Sequence, residues 1–229
     1  MLTGVTITGA DDRVNPLALV ALAEEFPFVE WGILLSDRRA GTSRYPSAPW
    51  VERLVNMADG QMALSAHLCG GRARRLEIPR IGFRRVQING YGGNREPSLR
   101  AVAHALLGRN VEFVLPVRDE AIIQSTAHGI HESLGAERAS ILYDPSGGRG
   151  IEPFRWPTAP LGVRMGYAGG IRPDSVEGVI SDIGPVANPY WLDVETGVRR
   201  DDTFDLALCR EFLTMATRAC RGRQIEAPP

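Results

Sequence analysis

Short runs in which apolar and polar residues alternate recur along the whole chain, separated by longer stretches of helical periodicity. The first run, GVTITG at 4–9, alternates β-branched apolar residues with threonines, which is typical of a strand. The same pattern predicts strands at about 4–9, 28–36, 61–69, 84–90, 111–117, 139–144, 163–168 and 190–196. Helices are predicted at about 15–25, 49–58, 97–108, 119–134, 173–182 and 204–220.

Prolines mark the expected helix starts. Pro16, Pro97 and Pro173 lie where a first helical turn would begin, a position that tolerates proline because the first N–H groups of a helix are unpaired. Asn15 suits the cap before Pro16. The links after the third and sixth strands look short and irregular.

Alternation of strands and helices predicts a parallel sheet. Eight such units in 229 residues predict a single-domain α/β protein, a (βα)8 TIM barrel over 1–220, followed by a polar, flexible tail at 221–229. The alternative is an open, doubly wound sheet. No G-x-G-x-x-G follows the first strand, which weakens the nucleotide-binding version of that alternative.

The period of two along each strand predicts which side chains point into the barrel. In MALSAHLC at 62–69 the larger apolar residues share one face, so His67 and Cys69 are expected on the inner face. By the same pattern the inward residues of the other strands are Thr6, Thr8, Gln87, Asn89 and Asp193. Because barrel sites lie at the carboxyl ends of strands, these polar groups are expected to meet at one mouth.

Composition narrows the chemistry. The chain has no lysine, which excludes Schiff-base aldolases, pyridoxal-phosphate enzymes and a Walker A loop. A net charge of −1 gives no indication of a nucleic-acid partner, and no apolar run indicates a membrane span. The three cysteines are widely spaced, which argues against disulfides or structural zinc and favours a cytosolic location.

Two glycine-containing segments are candidates for anion binding. Gly169 and Gly170 follow the seventh strand, and Thr196 and Gly197 follow the eighth. Backbone N–H groups at glycines can approach an anion closely, and barrels commonly bind phosphate after these two strands. The alternative for the glycine pair is a tight turn.

Asp144 ends the sixth strand and precedes a glycine-rich loop, as expected of an acid beneath a lid. The alternative is an aspartate that caps the loop. His128 and His131 have a spacing that can bind metal, but no supporting ligand pattern accompanies them, so a solvated helix face is expected. His104 is expected on another outer helix.

Several segments together resemble the phosphoribosylanthranilate isomerase family. They are TITG at 6–9, GILLSDRRAGTSRYPS at 32–47, VQING at 86–90, ILYDPSGGRGIEPFRW at 141–156, YAGGIRPDSV at 167–176 and LDVETGVR at 192–199. Their order and spacing across nearly the whole chain imply a TIM barrel that binds a phosphorylated sugar. The family opens a phosphoribosylamine ring and performs an Amadori rearrangement, in which an acid protonates the ring oxygen and a base removes the C2 proton.

The resemblance also implies roles for single residues. It assigns the acid to Asp144 and an aromatic-acid carboxylate contact to Arg44, for which the alternative is a solvated loop arginine. The remaining substrate contacts that it implies are Gln87, Asn89, Gly148, Gly169, Gly170, Glu195, Thr196 and Gly197. No cofactor or metal is expected.

The chain departs from the family where the base should be. Thr8 stands in place of the family's cysteine, Thr6 in place of its lysine and Asn89 in place of a histidine. A threonine hydroxyl is too weakly acidic to replace a thiolate. His67 is the first candidate for the base because imidazole titrates near neutrality, although it can equally be a hydrogen-bonded core histidine.

Other candidates for the base are Cys69, Glu195 and Asp193. Three hypotheses follow: an Amadori-type isomerase of tryptophan biosynthesis or a close relative; a phosphosugar lyase, epimerase or lysine-independent aldolase; and a non-catalytic binding barrel. Each expects a phosphorylated small molecule as partner, with the protein a monomer or homodimer.

Overall fold

Eight parallel strands pair in chain order and close into a barrel. The structure, a computed structural model, describes residues 1–90, 97–105 and 107–220. The barrel strands are β1 (Leu2–Thr8), β2 (Val29–Leu35), β3 (Ala63–Leu68), β4 (Arg85–Ile88), β5 (Glu112–Val117), β6 (Ala139–Tyr143), β7 (Met165–Ala168) and β8 (Tyr190–Val194). Because β8 also pairs with β1, the predicted (βα)8 barrel is confirmed and the open sheet is excluded.

Helices surround the barrel in the order that the periodicity predicted, except that a short helix follows β3, where an irregular link was expected. Within the described residues they are α1 (Pro16–Glu25), α2 (Ala48–Ala58), α3 (Gly71–Arg75), α4 (Leu99–Ala105), α5 (Ile123–Ser133), α6 (Val176–Ile183) and α7 (Leu206–Ala219). A ribbon of β9 (Arg199–Arg200) and β10 (Thr203–Phe204) precedes α7. The prediction for residue 106 and for the tail at 221–229 lies outside the described residues.

One of the three proline predictions is confirmed. Pro16 occupies the first turn of α1, and the Asn15 side chain accepts a hydrogen bond from the Leu17 N–H. Pro97 and Pro173 instead precede α4 and α6 by two and three residues. Those two predictions were wrong because a serine, rather than the proline, stands immediately before each helix.

The link after β6 differs from the prediction in length. Residues 144–164 form an irregular segment without a helix, far longer than the short link expected. Trp156 anchors the segment by packing edge-on against Tyr167, with the ring centroids 5.9 Å apart. The Phe154 side chain is fully exposed. This segment, the β6–β7 loop, contributes to the cavity at the carboxyl ends of the strands, is held at Trp156 and carries an exposed aromatic ring.

The inner and outer faces of the strands follow the predicted alternation. Leu64 and Leu68 pack outward into the main apolar core. At the amino end of the barrel, Arg85 forms a buried ion pair with Glu30 (2.6 Å) and lies 4.5 Å over the Trp191 ring. Trp191 fills the space that a side chain at Gly166 would need. These side chains therefore fill the lower barrel, and the large cavity described below lies towards the carboxyl ends.

Candidate active site

A cavity of about 630 Å³ lies at the carboxyl ends of the strands, and all eight strands or the loops that follow them line it. The structure brings every predicted site residue to its wall: Thr8, Arg44, His67, Cys69, Gln87, Asn89, Asp144, Gly148, Gly169, Gly170, Asp193, Glu195, Thr196 and Gly197. The volume falls within the usual range for a small-molecule site.

The floor of the cavity is formed by three polar side chains from β1, β3 and β8. The Thr8 hydroxyl donates to Asp193 Oδ1 at 3.1 Å. Thr8 and His67 approach each other over Gly32 of β2, where an added Cβ would overlap Thr8 Oγ1 and lie 2.8 Å from His67 Cε1. The absent side chain at Gly32 therefore allows neighbours on two separate strands to meet.

Burial changes the protonation of Asp193. Desolvation, reinforced by the negative charge of Glu195, raises the pKa of this carboxyl from 3.8 to about 8. The hydrogen bond from Thr8 and the charge of Arg85 act in the opposite direction but do not offset burial. Asp193 is consequently a protonated, neutral acid at neutral pH, which is the state that a proton donor needs.

The expectation that His67 titrates near neutrality was wrong. Burial, assisted by the nearby charge of Arg85, lowers the pKa of the imidazole from 6.5 to about 3. Nor is it a hydrogen-bonded core histidine, because its ring makes no hydrogen bond to any described residue. At neutral pH His67 is uncharged, so it can accept a proton only at a high energetic cost.

Cys69 and its neighbours form a chain of hydrogen bonds along one wall. Gln87 Nε2 donates to Asn89 Oδ1 at 2.8 Å, and Asn89 Nδ2 donates to Cys69 Sγ at 3.2 Å. The Cys69 thiol in turn lies 3.6 Å from the His67 carbonyl oxygen. Burial raises the pKa of this thiol, which disfavours the thiolate that a base would require.

Asp144 caps the β6–β7 loop, as the structural alternative expected. Its Oδ1 accepts hydrogen bonds from the Ser146 hydroxyl (2.8 Å) and the Gly147 N–H (3.0 Å), and its Oδ2 accepts from the Gly148 N–H (2.7 Å). Both carboxylate oxygens thus stabilise the loop. The catalytic role that the resemblance implies for Asp144 stays a prediction.

Arg44 is held between two carboxylates. Its Nη1 donates to Glu195 Oε1 at 2.6 Å, and its Nη2 donates to Asp202 Oδ1 at 2.6 Å. Its backbone N–H donates to Asp11, whose carboxylate is also paired with Arg13. Arg44 is therefore not a free solvated arginine, and a substrate carboxylate would have to compete with both of its acidic partners.

The glycine pair after β7 combines a tight turn with backbone N–H groups that have no acceptor among the described residues. Gly169 and Gly170 have φ values of 118° and 66°, which favour glycine. An added Cβ at Gly170 would lie 2.5 Å from the Glu152 backbone nitrogen, and one at Gly169 would lie 2.8 Å from the Ile151 carbonyl oxygen. Both glycines line the cavity, and neither N–H donates a hydrogen bond to a described residue.

Arg39, Tyr45 and Arg118 are among the side chains of the wall that sequence reasoning missed. Arg39 stacks on the Tyr45 ring at 4.1 Å and donates to its hydroxyl at 3.1 Å. The segment GILLSDRRAGTSRYPS contains several arginines with the same local pattern, so only the fold selects the ones that face the cavity. Arg118 had one available signal, its position directly after a predicted strand.

The outer histidines take no part in the cavity wall. His128 pairs with Glu132 at 3.2 Å, and His131 Nε2 lies 3.3 Å from the Leu161 carbonyl oxygen. In residues 1–90, 97–105 and 107–220, no three His, Cys, Asp or Glu side chains converge in a way that could hold a metal ion. Across the same ranges, the helices are too short or too polar to span a bilayer.

Comparison with solved structures places this geometry among TIM barrels. Phosphoribosyl anthranilate isomerase from Thermus thermophilus matches with a TM-score of 0.65 at 19% identity, over 94% of this chain and 98% of that one. The isomerase from Thermotoga maritima matches at 0.64 and 15%, over 95% and 100%. A phospho-2-dehydro-3-deoxyheptonate aldolase from Thermotoga maritima matches at 0.61 and 14%, over 99% and 72%.

No protein-family model matches the sequence, and no curated protein matches it. At these identities the structural likeness establishes the barrel fold. The chemistry of this chain has to be inferred from its own side chains.

Proposed function

We propose that the protein is an isomerase of a phosphorylated sugar that uses a pair of carboxyl groups on β8 for acid–base chemistry. The observation that carries the proposal is the buried, protonated Asp193 on the floor of a 630 Å³ cavity, two residues from a carboxylate that is ion-paired. When two carboxyl groups in one site differ in protonation state, one can act as the acid and the other as the base at the same pH.

Asp193 supplies the proton and Glu195 accepts one. In an Amadori-type reaction Asp193 donates its proton to the ring oxygen as the bond between C1 and that oxygen breaks. Breaking that bond leaves an iminium between C1 and the amine nitrogen. Glu195, ion-paired with Arg44, then removes the C2 proton to give an enolamine, which gains a proton at C1 and loses its C2 hydroxyl proton to form the ketose. Glu195 replaces His67 as the favoured base because the imidazole is a very weak base in its buried position.

The substrate's phosphate is assigned to the N–H groups of Gly169 and Gly170, with Thr196 and Gly197 opposite. Donors fixed by a close-packed backbone bind an oxyanion without reorganisation. Two of the similar structures are phosphoribosyl anthranilate isomerases, which agrees with a phosphorylated sugar as the ligand. A role in tryptophan biosynthesis, a cytosolic location and a monomer or homodimer remain predictions.

The test is turnover in D2O. Purified protein is incubated with a phosphoribosyl-arylamine, or with ribose 5-phosphate, and ketose formation and the deuterium content of the product are followed by NMR. The expected result is ketose formation that Asp193→Asn and Glu195→Gln each reduce at least 100-fold, the usual contribution of a general acid or base. Glu24→Gln, an exposed residue of α1, is the matched control and keeps full activity.

Failure of the folded protein to convert either compound would overturn the isomerase proposal. Retention of activity in Glu195→Gln together with its loss in a His67→Asn variant would return the base to His67. Circular dichroism of each variant distinguishes a chemical effect from unfolding.

One observation favours a second candidate, a non-catalytic phosphosugar-binding barrel. Asp144 and Arg44, the two side chains to which the resemblance assigns acid catalysis and carboxylate binding, are occupied by bonds within the protein. This candidate predicts that ribose 5-phosphate binds and that Asp193→Asn leaves its affinity unchanged while no turnover is detected. Turnover by the wild type refutes it.

A further inference from the structure

Arg118 is an exposed cation at the cavity wall without an acidic partner among the described residues. It follows β5 directly, next to Asp144 at the end of β6. The Asp144 carboxylate accepts three hydrogen bonds from its own loop and forms no ion pair with Arg118. The Asp144 carboxylate is therefore engaged by its own loop. No described acidic side chain forms an ion pair with Arg118 at the cavity wall.

The β6–β7 loop is shaped to leave room for the Arg118 guanidinium. A Cβ added at Gly147 would lie 2.5 Å from Arg118 Cζ and 2.7 Å from its Nε. Gly147 has a φ of 60°, so a residue with a side chain would be strained there as well as obstructed. The guanidinium thus lies close to the loop backbone at Gly147 while it remains exposed at the rim of the cavity.

The other arginines of the wall are already engaged. Arg44 is paired with Glu195 and Asp202, and Arg39 stacks on Tyr45. An anionic group entering the cavity would have to displace a carboxylate to reach Arg44, whereas Arg118 offers a planar fork of donors at no such cost.

We propose that Arg118 binds a second oxyanion of the substrate, a carboxylate or a phosphate, at the β5–β6 side of the cavity. The proposal rests on the phosphosugar site described above, with the first phosphate at Gly169 and Gly170. The substrate is then a phosphorylated sugar derivative that carries a second anionic group. Arg118, rather than Arg44, binds that group.

Calorimetric binding of three probes tests this assignment. Ribose 5-phosphate carries one anionic group, 6-phosphogluconate carries a phosphate and a carboxylate, and fructose 1,6-bisphosphate carries two phosphates. The expected result is that the wild type binds one of the two-ended probes more tightly than ribose 5-phosphate. Arg118→Gln should weaken that probe about tenfold or more and leave ribose 5-phosphate unchanged, since a charge-assisted contact is lost at one end only. Which two-ended probe is preferred identifies the oxyanion.

The matched control is Arg155→Gln, because Arg155 lies on the β6–β7 loop that Arg118 contacts, is exposed and pairs with Glu120 outside the cavity wall. It should leave all three affinities unchanged. Equal weakening of all probes by Arg118→Gln, or a wild type that does not prefer either two-ended probe, overturns the assignment. If the preference depends on Arg118 but no sugar is isomerised, the proposed reaction fails and the second anion site stands.

Discussion

Replacing Asp193 by asparagine should change how the stability of the protein depends on pH. Asparagine keeps the size of the side chain and an oxygen that can accept the Thr8 hydrogen bond, but it cannot ionise. In the wild type the folded protein holds a proton on Asp193 between pH 3.8 and about 8, whereas the unfolded chain has released it. Raising the pH through this window therefore favours unfolding.

The expected change in the free energy of unfolding follows from the pKa values of Asp193 and His67. One proton of difference changes the free energy of unfolding by about 1.4 kcal/mol per pH unit. His67 acts in the opposite direction between its folded pKa of about 3 and its usual 6.5, because there the unfolded chain binds the extra proton. The two slopes cancel up to pH 6.5. From pH 6.5 to 8 only Asp193 contributes to the wild type, which should lose about 2 kcal/mol. His67 is present in both proteins, so the difference between wild type and Asp193→Asn contains the Asp193 slope alone and should change by about 4 kcal/mol from pH 5 to 8.

The assay is urea denaturation of both proteins in parallel at pH 5, 6, 7 and 8, followed by tryptophan fluorescence. The difference between wild type and variant at each pH isolates the group that was changed. An infrared band of a protonated carboxyl at neutral pH, absent from Asp193→Asn, gives an independent measurement. His67→Asn removes the slope that opposes Asp193. The stability of that variant should therefore fall with rising pH from near pH 4.

A difference between wild type and Asp193→Asn that stays constant from pH 6.5 to 8 would mean that Asp193 is ionised in the folded protein. That result would remove the physical basis for Asp193 as the acid.

Two further substitutions test how the barrel interior is held. Gly32→Ala should destabilise the protein by about 1–3 kcal/mol in urea denaturation, because the new methyl group overlaps Thr8 and His67; unchanged stability would contradict the close approach of those side chains. Arg85→Met should cost about 3–5 kcal/mol, because it leaves the Glu30 carboxylate buried without its partner. Adding Glu30→Gln should recover much of that loss, and no recovery in the double variant would show that Arg85 stabilises by packing rather than by charge.

The pattern of the sequence was sufficient to predict the barrel and the inward faces. Alternation in MALSAHLC fixed the direction of His67, because the side-chain period of a strand is two. The same pattern does not show which side chains on two separate strands will meet over the strand that lies between them. The role of Gly32, a residue that contributes no side chain, was therefore invisible until the fold was known.

The protonation states and ion-pair partners of the site residues were less predictable than the fold, for a related reason. The low pKa of His67 depends on burial and on Arg85, which lies on the next strand. The partner of Arg44, Asp202, is 158 residues away, in a turn that no motif marks. Local sequence can nominate an arginine or a histidine, but only the assembled barrel determines which charge each one meets.

The hydrogen bond between Thr8 and Asp193 joins the first and last strands of the barrel, 185 residues apart. Close by, Arg199 donates to the Gly9 carbonyl oxygen, and at the opposite rim the amino terminus bonds to Asn188. On a ribosome, β1 emerges well before β8 and must wait for the intervening strands and helices before its partner is made. The cavity floor is completed only when β8 closes the barrel, so a nascent chain acquires its ligand site together with its fold.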